Sequence, residues 1–78
     1  MKLKDMPIGR QARVQGYAHG CDRRYRLKLI QIGLCRGATF TLTRKAPMGD
    51  PVELRLRDCS VTLRQAEADA MEIEALET

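Results

Sequence analysis

A chain of 78 residues with 44% hydrophobic and 31% charged positions is too short for two cores, and this size limits how deep any cleft can be. No run approaches the ~20 apolar residues of a membrane-spanning helix, and Asp5 and Pro7 interrupt the N-terminus where a secretory signal needs an apolar stretch. The net charge of +4 is unevenly spread. Residues 1–64 hold all 14 Lys and Arg with five acids, whereas residues 65–78 hold the other five acids and no base. Such fields steer association with surfaces of opposite sign without naming the partner.

In chain order, residues 12–17 place Ala12, Val14 and Gly16 on one side, as in a half-buried strand. Residues 22–33 break that period. Leu27, Ile30 and Leu34 are spaced i, i+3, i+7, and Tyr25 and Leu29 are four apart. Asp22 suits the helix start, and Gly33 the left-handed position that closes a helix, with Leu34 packing back. One amphipathic helix of two to three turns is predicted here.

The clearest strand is residues 38–43, with Ala38, Phe40 and Leu42 on one face and three threonines on the other. The turn-rich segment Ala46-Pro47-Met48-Gly49-Asp50-Pro51 follows, then Val52, Leu54 and Leu56 alternating with Glu53, Arg55 and Arg57. Together these predict a hairpin. A short strand is expected over 60–63, a helical turn over 65–70, and a last strand with Met71, Ile73 and Ala75 inward. Five short strands and one substantial helix predict a mainly β fold, a small barrel closed or nearly closed, occupying 1–78 as one domain.

The three cysteines, Cys21, Cys35 and Cys59, form no CxxC pair and suit a reducing compartment. His19 and Cys21 make an H-x-C pair, poor material for a metal site, so neither a resident metal nor another cofactor is expected. A small metal-delivery protein using His19 and the thiols is the weakest alternative. No histidine accompanies a candidate nucleophile, so catalysis on a small-molecule substrate is not expected. Gly49-Asp50-Pro51 is a turn, unrelated to a phosphate-binding GxxxxGK[ST] loop.

Three surfaces remain as binding candidates. Arg23, Arg24, Arg26 and Lys28 make the helix basic, and Arg44, Lys45, Arg55 and Arg57 extend that charge. A basic surface suits an acidic protein or nucleic acid, but few aromatic rings are available for base stacking, which puts nucleic acid second. The helix has more apolar residues than one buried stripe requires, so one or two of Leu29, Ile32 and Leu34 are expected to stay exposed and anchor a protein partner, with Arg26 beside them. Met48 and Asp50 in the rigid loop make a second candidate contact. Glu72 and Glu74, with Glu67 and Asp69 nearby, are expected to be a solvated strand face rather than an acidic docking surface.

Three motifs resemble a known family. Tyr25-Arg26-Leu27-Lys28-Leu29-Ile30-Gln31-Ile32-Gly33-Leu34 is similar to the R-L-x-x-L-G-[LM] helix of FeoA proteins, with Gly37 opening the next strand. Ala46-Pro47-Met48-Gly49-Asp50-Pro51-Val52 resembles their A-P-x-G-D-P-[IV] turn. Leu63-Arg64-Gln65-Ala66-Glu67-Ala68 followed by Met71-Glu72-Ile73 resembles their L-R-x-x-E-A…I-x-V ending. Arg36 stands where the family often has proline. The resemblance implies an SH3-like barrel in the cytosol, reaching the membrane only through its partner, the ferrous-iron permease FeoB with its cytosolic GTP-binding domain. A nucleic-acid-binding or metal-responsive regulatory module of the same fold is the alternative, because fold alone does not assign a role.

Overall fold

The computed structural model describes residues 2–76. Five strands and two helices follow in the order β1 (Gln11–Tyr17), α1 (Arg23–Gln31), β2 (Thr39–Lys45), β3 (Val52–Arg55), β4 (Ser60–Leu63), α2 (Gln65–Ala68) and β5 (Met71–Ala75). They form one antiparallel sheet in the order β4-β3-β2-β1-β5. The two outer strands, β4 and β5, are consecutive in the chain and joined by α2.

Alternation sets the inner face. Ala12, Val14 and Gly16 of β1, Phe40 and Leu42 of β2, Val52 and Leu54 of β3, Leu63 of β4, and Met71 and Ile73 of β5 are all buried. A period of two places these residues on one side of a pleated sheet, and the sheet curls around them. Leu56, expected to continue β3, instead follows its end and packs half-buried against the core. Gly16 is buried beneath the Arg36 guanidinium, whose nitrogen would lie 3.3 Å from a Cβ built at that position.

The first element, a single 3-10 turn at Leu3–Asp5, precedes the strands and follows no periodic pattern. Leu3 and Met6 from this segment are fully buried in the same core. Two lysines hold it in place. Lys45 Nζ donates to Met6 O at 2.6 Å, and Lys2 Nζ donates to Asp69 O at 2.9 Å.

Helix α1 is bounded as its residues predict. Asp22 Oδ1 accepts a 2.8 Å hydrogen bond from the Arg24 N–H, capping the start. At the other end Gly33 adopts φ +104°. Its N–H donates to Ile30 O at 3.1 Å, and the Leu34 N–H donates to Leu29 O at 2.8 Å. This pair of bonds is a Schellman closure, so Leu34 lies outside the helix and folds back into the core. Asp50–Pro51, in the loop between β2 and β3, is a cis peptide.

Candidate functional site

The Schellman closure corrects the expected phase of α1. Because Leu34 is not on the helix, the Leu27–Ile30–Leu34 spacing does not describe a helix face. The inward stripe is Tyr25, Leu29 and Ile32, at i, i+4 and i+7, which pack on the core. Leu29 and Leu34, expected among the anchors, are both 0% exposed. Neither offers surface to a partner. Ile32 is half-buried against the core. The apolar side chains left outside are Leu27, 45% exposed, and Ile30, 44% exposed. They are three residues apart and therefore neighbours on the helix surface, with Arg23 and Arg26 one turn away.

Lys28 lies on the flank of α1 that meets α2. Its ammonium donates a 2.6 Å hydrogen bond to Glu67 Oε2, while Glu67 Oε1 accepts the Arg64 N–H at 3.0 Å. Glu67 thus caps its own helix and ties α2 to α1. The Lys28 hydrogen bond, aided by the Arg64 N–H, holds the Glu67 carboxyl below the usual glutamate range although burial opposes it.

Beside this pair opens a cleft of about 480 Å³ lined by Lys28, Asp50, Pro51, Thr62, Arg64 and Glu67. A second cleft of about 300 Å³ shares Pro51 and Thr62 and continues past Arg44, Ala46 and Pro47. The fold therefore brings α1 and the β2–β3 loop, separate candidates in the sequence, to the same surface. Asp50 turns toward the protein, where its Oδ1 accepts the Gln65 N–H at 2.9 Å. This bond joins the loop to the first turn of α2. Met48 stands 91% exposed at the loop.

The described acids near the end of the chain have local partners. Glu72 is 2.8 Å from Lys2, Glu74 is 3.9 Å from Arg13, and Asp69 accepts from Gln65 Nε2 at 3.0 Å. Among the described residues no three His, Cys, Asp or Glu side chains converge on a metal-sized position. His19 is exposed and the three thiols are free. The aromatic rings offer little for stacking. Phe40 is buried, and Tyr17 and Tyr25 pack on the core.

This geometry describes a small SH3-like β-barrel that presents a basic and apolar helix face beside a cleft. The FeoA domain model matches residues 1–75, and the chain belongs to the FeoA domain family. It is 33% identical over 79 residues to a Porphyromonas gingivalis protein described as an Fe(2+) transport protein A/Fe(2+) transporter FeoB fusion. That match takes in 97% of this chain and spans only 9% of the longer relative. Among solved structures, a FeoA-like protein from Clostridium acetobutylicum superposes with a TM-score of 0.86 at 35% identity, covering 100% of this chain and 88% of that one. FeoA of Stenotrophomonas maltophilia, described as a procaryotic SH3 domain protein and complexed with zinc, gives a TM-score of 0.77 at 23% identity, covering 95% and 89% of the two chains. The fold carries over from that likeness. The donor set of the described residues here does not fit a zinc site. No described helix is long and apolar enough to cross a membrane.

Proposed function

We propose that this protein is a cytosolic accessory of ferrous-iron uptake that acts by binding, rather than by catalysis, to the cytosolic part of a FeoB-type permease. The observation carrying this reading is the outer face of α1. Leu27 and Ile30 are exposed side by side, flanked by arginines, on a helix whose other apolar residues are committed to the core. A small apolar centre with a cationic rim is the usual composition of an interface anchor, the rim adding specificity and the centre affinity. The fused relative supports this choice of partner, since it carries both parts in one chain.

Lys28 connects that face to the cleft beside Pro51, and Met48 is exposed on the loop that supplies Asp50 and Pro51 to its lining. Arg26 contributes charge, whereas Asp50 contributes by fixing the loop. Ile32 supports the helix from beneath.

Calorimetric titration of this protein into the purified cytosolic domain of its host's permease, at two salt concentrations, tests the reading. Saturable binding that persists at high salt and is abolished by the double substitution Leu27→Ala and Ile30→Ala supports it. An unchanged affinity in that variant removes the helix face, and no binding by either form removes the partner.

A further inference from the structure

The pairing register aligns polar side chains on the outer face of the sheet. Gln11 of β1 stands opposite Thr41 of β2, and Thr41 stands opposite Arg55 of β3. Arg13 and Thr39 form the neighbouring row. Where these rows meet the end of β3, a depression of about 190 Å³ is lined by Gln11, Thr39, Thr41, Arg55, Leu56 and Arg57. Its lining residues carry two guanidinium groups, two hydroxyls and one carboxamide, and no carboxylate.

These groups are uncommitted. Among the described residues, none of the side chains of Gln11, Thr39, Thr41, Arg55 and Arg57 hydrogen-bonds or ion-pairs elsewhere in the protein. That contrasts with Arg13, paired with Glu74, and Arg24, paired with Asp22. Glu53 shares the strand and Asp58 follows Arg57, but neither lines the depression. Unpaired arginines beside hydroxyl and amide donors form a surface that a tetrahedral oxyanion can satisfy, because the guanidinium fork matches two oxygens at once and the neighbouring donors take the others.

We propose that this outer-sheet depression is a phosphate-binding site, with Arg55 and Arg57 as the principal ligands and Thr39, Thr41 and Gln11 as accessory donors. The site lies on elements other than α1 and the β2–β3 loop, and it stands or falls independently of the permease reading. The phosphate has two physical sources, a free phosphate or nucleotide and the headgroup of an anionic lipid, which share the chemistry and differ in presentation.

The test follows amide and arginine Nε resonances of the full chain during titration with inorganic phosphate and with ADP, ionic strength being held constant with chloride. A parallel arm measures sedimentation with phosphatidylglycerol or phosphatidylcholine vesicles. Saturable shifts confined to Gln11, Thr39, Thr41, Arg55 and Arg57, weakened at least about tenfold by Arg55→Gln or Arg57→Gln, support the site with a soluble ligand. Retention on phosphatidylglycerol alone, lost in the same variants, supports it with a lipid headgroup. Thr41→Val keeps the charge and is expected to weaken either signal several-fold, which separates recognition from bulk attraction. Non-saturating shifts spread over all the basic residues, with vesicle binding unchanged in the variants, overturn the proposal. Arg23→Gln on α1 is the control and leaves the titration unaltered.

Discussion

Lys28 Nζ and Glu67 Oε2, 39 residues apart in sequence, meet at 2.6 Å across the junction of α1 and α2. Glu67 is 7% exposed, so its charge depends on that ammonium and on the Arg64 N–H for solvation. Glu67→Ala removes the interhelix bond and half of the cap together and should cost about 2 kcal/mol. In a domain of this size that corresponds to a melting-temperature fall of roughly 8–15 °C by calorimetry. Lys28 stands half in solvent, so Lys28→Ala should cost only about 1 kcal/mol after screening.

The same pair sets an acid limb of stability. The folded-state pKa of Glu67 lies below its ordinary value of 4.5, so between the two values the unfolded chain holds more protons than the folded one. Stability therefore rises with pH there. The contribution is complete above about 4.5 and is lost as pH falls through the folded value. Urea melts from pH 6 down to pH 3 should show a shallower decline for Glu67→Gln than for the native protein.

Alkaline pH acts through Tyr17, whose hydroxyl donates to Leu34 O at 2.8 Å. Burial, with a smaller contribution from nearby Cys35, raises its pKa above 10.0. Below pH 10 the group is protonated in both states and its contribution is fully present. As pH rises further the unfolded chain ionises first, and stability is lost through the folded value. Tyr17→Phe should cost about 1 kcal/mol at neutral pH and flatten this limb. Ultraviolet titration of the tyrosinate band checks the order of ionisation.

Two glycines separate backbone constraint from space. Gly33 sits at φ +104°, and a Cβ there would only touch Leu56 Cδ1 at 3.4 Å. Gly33→Ala should therefore lose about 1–2 kcal/mol through the backbone alone. Gly16 has no positive φ, and its added methyl meets the end of the flexible Arg36 side chain at 3.3 Å. Gly16→Ala should cost less, with the Arg36 side chain shifting aside. Chemical denaturation of both variants ranks them.

Residues on α1 should divide into two groups. Leu29→Ala empties a fully buried site and should cost about 2–5 kcal/mol, whereas Leu27→Ala, on the exposed face, should stay within about 0.5 kcal/mol. Asp50→Ala, which frees the Gln65 N–H, should fall between them at about 1 kcal/mol. Equal losses at Leu27 and Leu29 would mean that Leu27 is core.

Local chemistry determined much of this molecule before any long-range contact formed. The alternation of Phe40 and Leu42, of Val52 and Leu54, and of Met71 and Ile73 placed the strands and their inner faces, because a pleated backbone sends neighbouring side chains to opposite sides. Asp22 and Gly33 bounded α1 through interactions within a few residues of each end. The ordered motifs at the helix, the turn and the C-terminal end identified the family. Tertiary structure alone decided which side of α1 is exposed. Leu27 and Ile30 carry helical spacing as regular as that of the buried residues, and only the packing of Tyr25, Leu29 and Ile32 on the core leaves them outside. It also decided that Leu3 and Met6 complete that core, that Asp50 caps α2, and that Lys28 meets Glu67. These contacts join residues distant in sequence, and neither local periodicity nor local hydrogen bonding encodes where the chain will bring them together.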